Sequence, residues 1–177
     1  ATPATIALRE VLLPHTAHIQ DKEAEWQLRN RHRRGKGERG VPAPLYTVAQ
    51  ALAALKLLQP VAYRQPIEPA PVVKACFHDA GHILGSAWLE VTVSGEGKPR
   101  TLVFSGDLGM PDRPVLFDPE KVVPEADLLL IESTYGDRRH RSLAETEDEI
   151  VAAFARTLAA HGNLIIPSFA VGRTQEI

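Results

Sequence analysis

Two glycine-rich turns, each closing an apolar run, constrain this chain more than any other feature. The first is Phe77-His78-Asp79-Ala80-Gly81-His82-Ile83-Leu84-Gly85-Ser86. The second is Phe104-Ser105-Gly106-Asp107-Leu108-Gly109. Glycine admits backbone conformations and close approaches that a side chain forbids. Each turn also carries a potential metal ligand, an imidazole or a carboxylate. The stretch between them has room for a pair of strands. Two such turns, a strand pair apart, predict a site built at the rim of a sheet.

The hydrophobic pattern supports that placement. Ala87 to Val93 alternates, with Leu89, Val91 and Val93 on one side and Trp88, Glu90 and Thr92 on the other. Gly95-Glu96-Gly97-Lys98 is a hairpin turn and Thr101 to Phe104 the returning strand. Val61 to Tyr63 and Val72 to Phe77 also read as strands. Upstream the period is helical. Thr2 caps a first helix that runs to Pro14, and a second covers Ala17 to about Arg34. Gly35, Gly37, Gly40 and Pro42 form a loop. Thr47 caps a third helix in which Val48, Ala51, Leu52, Leu55 and Leu58 recur at helical spacing.

Downstream, Leu128 to Ile131 is wholly apolar, as suits a strand buried on both faces. Ser142 caps a helix to about Ala160, with Ile150, Val151, Phe154 and Leu158 inward. Asn163 to Pro167 reads as another buried strand, and a helix begins near Gly172. Helices followed by an antiparallel sheet, then strand, helix, strand, helix, make the fold class α/β. The boundary falls between a domain over residues 1–137 and the start of a second over 138–177.

At 177 residues and 44% hydrophobic, the chain can bury a core. No run is long enough to span a bilayer, so no membrane partner is expected. The start at Ala1-Thr2-Pro3 and the end at Gly172 to Ile177 both read as cuts through a longer protein. One cysteine, Cys76, excludes an internal disulfide framework, and a cytoplasmic setting is the simplest reading. Cys76 itself reads as a small strand hydrophobe. The net charge is -2, yet Arg29 to Arg39 holds six cations against Glu38 alone. That stretch is either a phosphate-contacting patch or a solvated helix end, and on charge alone the second is simpler.

Three residues carry the candidate chemistry. His82 sits between Gly81 and Gly85, and neutral imidazole is a common zinc ligand. A structural histidine is the alternative. Asp107 can bridge two cations or form an Asx-turn in its glycine loop. Glu132 ends the apolar strand before Ser133-Thr134-Tyr135-Gly136. There it can hydrogen-bond an imidazole, act as a general base, or cap a turn. His78 lies four residues before His82 on a strand, not a helix, and reads as supporting or structural. His15, His18, His32, His140 and His161 take no metal role.

Taken together, Phe77 to Ser86, Phe104 to Gly109, Ile131 to Asp137 and Ile166 to Gln175 resemble the β-CASP branch of the metallo-β-lactamase superfamily. The order and spacing match over essentially the whole chain. The resemblance implies an αββα sandwich holding two zinc ions at one edge, here partial, followed by the start of a β-CASP α/β cap. It makes His82 a zinc ligand, Asp107 the bridging ligand, and Glu132 the acidic residue that opens the β-CASP motifs. Arg173 matches a signature without an assigned role. It implies a zinc-dependent ribonuclease, exo- or endonucleolytic, active in RNA processing, with RNA as partner and homo-oligomer formation left open. Beside such a site the two readings of the basic stretch balance.

The chain departs from the family in lacking its His-X-His-X-Asp-His motif. His15-Thr16-Ala17-His18 has the wrong spacing. The expectation is therefore a chain that begins just downstream of that motif and is inactive alone. An inactive RNA-binding or scaffolding homologue, and another hydrolase of the same fold, are the rival readings.

Overall fold

The computed structural model describes residues 1–33, 43–121, 124–139 and 141–177. The loop expected at Gly35 to Pro42, most of the basic stretch, and His140 lie outside the described residues. By its internal contacts the chain divides into two units, Ala1–Leu130 and Ile131–Ile177.

The first unit opens with one helix where two were expected. Helix α1 runs from Pro3 to Arg33 and continues through Pro14. A proline inside a helix removes one hydrogen bond and crowds the preceding turn. Here that penalty is offset on both sides. Before Pro14, the Thr2 hydroxyl accepts from the Thr5 amide at 3.3 Å and starts the helix. After it, α1 packs against α2, Val48–Leu55, and Ala17 is fully buried. Helix α2 starts as its sequence requires, with a reciprocal capping box between Thr47 and Gln50.

Five strands form one mixed sheet in chain order: β1 Ile67–Ala70, β2 Val73–Asp79, β3 Ala87–Val93, β4 Arg100–Phe104 and β5 Leu128–Leu130. Strands β2, β3 and β4 lie within two residues of their expected positions. Val61 to Tyr63 is not a strand, and its neighbour Arg64 takes a left-handed φ of 60°. The edge position goes to Ile67–Ala70, which contains Pro69; an edge strand tolerates the missing donor.

Register places the site. Strand β3 pairs antiparallel with both β2 and β4, with Phe77 opposite Leu89 and Leu89 opposite Phe104. Strands β2 and β4 thus point the same way, and the turns that follow Phe77 and Phe104 leave from one rim. Beneath them Ala80, Trp88 and Val103 form the buried core, with Leu108 and Ala126 packed against it.

Strand β5 pairs parallel with β4, but its three leucines are about half exposed. The expected burial on both faces is not found, because no layer of described residues covers it.

The second unit holds helix α3, Leu143–Ala159, and a short α4, Arg173–Glu176. The Ser142 cap is confirmed by a capping box with Glu145. The expected strand at Asn163 to Pro167 is not formed, and its residues are exposed. Ile150, Val151, Phe154 and Leu158 are exposed too. An apolar run becomes a strand only where a ladder partner accepts it, and among the described residues none does. Among the described residues no helix is long and apolar enough to cross a membrane.

Trp88 is 3% exposed at the centre of the core. Replacing it with alanine should cost about 3–5 kcal/mol of stability, seen as a lower urea midpoint for the first unit.

Candidate metal centre

The turn after β2 is folded by its own side chains. The Gly81 amide donates to Asp79 Oδ1 at 2.8 Å, and the His82 and Ile83 amides donate to Ser86 Oγ at 3.0 and 3.2 Å. These bonds satisfy backbone donors that have left the ladder. The Gly85 carbonyl accepts from Thr2 Oγ1 at 2.8 Å and Thr5 Oγ1 at 2.9 Å, which ties the start of α1 to the turn. The Tyr63 hydroxyl donates to the Ser86 carbonyl at 2.7 Å.

Glycines here are required sterically. Gly81 has φ +62°, and a Cβ there would meet Pro119 N at 2.7 Å and the Phe117 carbonyl at 2.9 Å. A Cβ on Gly109 would overlap the Gly81 carbonyl. The two turns touch backbone to backbone, and the Gly109 amide donates to the Ala80 carbonyl at 2.8 Å.

That contact brings the first two candidate ligands together. His82 Nε2 lies 3.7 Å from Asp107 Oδ2, with the side chains 43% and 76% exposed. Two donors on one tetrahedral zinc, each about 2.0–2.2 Å from it, sit roughly 3.4 Å apart. The pair therefore fits a shared cation with little movement. Among the described residues no group of three or more potential ligands converges. A cavity of about 280 Å³ lies against the same turn, lined by Tyr63, Asp79, Gly81, Ile83 and Phe117 among others. Neither His82 nor Asp107 lines it.

Glu132 belongs to the second unit, half-buried two residues after β5. The segment after it is a tight turn in which the Gly136 amide donates to the Ser133 carbonyl at 3.0 Å, and Arg138 lies 4.8 Å over the Tyr135 ring. Arg173 pairs with Glu176 at 3.2 Å in α4.

The sequence reading missed a cluster behind the turn. His78 is opposite Trp88 in the β2–β3 register and stacks on it at 3.8 Å. Its Nε2 is 3.1 Å from Glu90 Oε2 and its Nδ1 is 3.3 Å from Glu120 Oε1. Arg64 Nε donates to both oxygens of Glu120 at 3.1 Å. Alternation placed Trp88 and Glu90 on one face of β3, which was the available signal for that half. Glu120 lies in a proline-rich loop with no period, so nothing marked it. Cys76 is half-buried in β2, and burial, then the Glu90 and Glu120 charges, push its thiol up. This agrees with a strand hydrophobe.

No protein-family model matches the chain. Curated relatives do. Ribonuclease TTHA0252 of Thermus thermophilus is 38% identical over 177 residues, the whole of this chain and 35% of the relative. Cleavage and polyadenylation specificity factor subunit 3 of Dictyostelium discoideum is 32% identical over 70% of this chain and 15% of its own length. Endoribonuclease YSH1 of Yarrowia lipolytica is 32% identical over 75% of this chain and 16% of its own.

The chain belongs to the β-CASP branch of the metallo-β-lactamase superfamily. It spans about a third or less of the length of these curated relatives. As a β-CASP member it is α/β with a mixed five-stranded sheet. Its relatives include transcription termination factors, among them FttA of Methanosarcina mazei, as well as ribonucleases.

Burial is the largest influence on the Glu120 carboxyl and raises it, but the hydrogen bonds from Arg64 and the close approach of His78, with their charges, together bring it below its ordinary value of about 4.5. A depressed carboxyl stabilises the fold at pH above about 4.5, and that contribution is lost as pH falls through the folded value. Glu120→Gln should flatten the acid limb of stability against pH while changing the neutral region less, measured by urea melts between pH 3 and pH 7.

Proposed function

We propose that the protein carrying this chain is a zinc-dependent phosphodiesterase acting on RNA. The observation that carries the reading is the facing pair His82 Nε2 and Asp107 Oδ2, 3.7 Å apart on two backbone-locked turns at one sheet rim. An imidazole and a carboxylate are ligands that zinc accepts. Membership in a family whose curated members include ribonucleases supports RNA as the substrate.

In this reading the sheet is one layer of the metallo-β-lactamase sandwich, and residues 138–177 begin the cap. His82 presents its Nε2. Asp107, more exposed and with two oxygens, would supply the carboxylate ligand beside it. Zinc, when bound, supplies electrophilic stabilisation and a nucleophile available at neutral pH. Glu132, the acidic residue that opens the β-CASP motifs, is a candidate general base on that resemblance alone. The exposed Arg29 and Arg33 at the end of α1 contribute contacts to the RNA backbone.

One observation favours a second reading for the chain in isolation. Only two donors converge among the described residues, and a catalytic zinc takes about three protein ligands and an open position. The 177-residue chain alone then binds zinc weakly and cuts nothing. An inactive, RNA-binding homologue is the corresponding reading for the whole protein.

Cleavage of a labelled RNA with and without zinc separates these. We expect the full-length protein to cut RNA, chelation to abolish the cut, and Asp107→Asn to reduce the rate by more than about 100-fold, since even supporting residues of metal sites cost 10–100-fold. The isolated chain should be inactive. RNA binding without cleavage by the full-length zinc-loaded protein would favour the scaffold, and zinc-dependent cleavage by the isolated chain would contradict the reading that the chain alone is inactive.

A further inference from the structure

The cluster behind the His82 turn is not used by the ligand pair, and its geometry ties it to that pair through one loop. Glu120 sits at the junction. Its amide donates to the Asp79 carbonyl at 2.9 Å, at the last residue of β2. The adjoining Pro119, with the Phe117 carbonyl, closes on Gly81 so tightly that no Cβ fits between them. The loop thereby forms one wall of the His82 turn, and Gly109 forms the other.

What holds that wall is polar. The Glu120 side chain is 14% exposed and is flanked on two sides, by Arg64 Nε, which donates to both its oxygens at 3.1 Å, and by His78 Nδ1, which approaches to 3.3 Å without an aligned hydrogen bond. His78 is 12% exposed, is fixed by stacking on Trp88, and faces Glu90 at its other nitrogen. His78 Nδ1 is the buried side-chain atom without a well-aligned hydrogen bond among the described residues. A buried polar atom left in that state calls for a reason. Strand β2 carries His78 four residues before His82, so the ring that holds Glu120 and the ring that faces Asp107 are set by the same strand end.

We propose that Glu120, gripped by Arg64 and His78, is a positioning residue that sets the His82–Asp107 separation. It touches neither ligand. It acts by clamping the Phe117–Glu120 loop onto Gly81, so that His82 is held at the distance one cation needs. Loss of the clamp lets the turn relax away from Asp107 while the sheet stays paired.

This inference rests on the reading of His82 and Asp107 as zinc ligands, and its test has an arm that does not. The full-length protein, its Glu120→Ala, Glu120→Gln and Arg64→Ala variants, and an Arg100→Ala control are compared in two measurements. Arg100 pairs with Asp127 at 2.8 Å away from the turn, so its loss should affect stability alone. In competition with a chelator, Glu120→Ala should bind zinc about 10-fold more weakly. Glu120→Gln, which keeps the length and one oxygen for Arg64, should recover most of that loss. In zinc-free hydrogen exchange, the amides of Gly81, His82 and Gly109 should exchange faster in Glu120→Ala than in the control.

Arg64 is 73% exposed, so Arg64→Ala keeps the test open if Glu120→Ala fails to fold, and it should show the same two changes. Unchanged zinc affinity together with unchanged exchange at those amides, in whichever variant folds, overturns the proposal. If the parent protein binds no zinc at all, the reading of the ligands fails. The exchange arm then still decides whether Glu120 holds the turn.

Discussion

The backbone contact between Gly109 and Gly81 is the constraint on which the site depends. A side chain on Gly109 would overlap the Gly81 carbonyl, and the amide that replaces it donates to the Ala80 carbonyl at 2.8 Å. The bond joins the turn after β2 to the turn after β4 at the distance where an imidazole on one faces a carboxylate on the other. The antiparallel register makes this contact available, since both strands end at the same rim. Register places the turns, glycine lets them meet, and the two side chains inherit their separation.

Around that contact the first unit spends side chains on polar closure rather than on apolar volume. The buried core is small, centred on Trp88 with Ala80 and Val103. Thr2, Thr5, Tyr63, Asp79 and Ser86 each satisfy a backbone group of the His82 turn or its flanks. Hydrogen bonds of this kind contribute modestly to stability one by one, but leaving their partners unmet would cost more. The turn is therefore held together by satisfaction of its donors and acceptors. A metal site needs that property more than it needs a large core.

Much of this was legible in sequence because it is local. Thr47 with Gln50, and Ser142 with Glu145, are capping boxes that short-range chemistry dictates. The alternation from Ala87 to Val93 and the Gly95–Lys98 turn located β3 and β4. The glycines marked both turns, and the structure brings His82 and Asp107 face to face. The failures are all non-local. Pro14 reads as a break, yet packing on α2 carries the helix past it. Leu128 to Leu130 and Asn163 to Pro167 read as buried strands, but burial depends on a covering layer that the residues themselves do not encode. Glu120 was invisible because a loop carries no period, and its importance comes from Arg64 and His78, 56 and 42 positions earlier in the chain.

The central claim is that His82 and Asp107 ligate one metal ion. Anomalous diffraction at the zinc edge, from crystals of the full-length protein grown with zinc, tests it most directly. The account requires a zinc peak within about 2.0–2.2 Å of both His82 Nε2 and an Asp107 carboxylate oxygen. Zinc bound elsewhere, with His82 and Asp107 still paired only to each other, would contradict it.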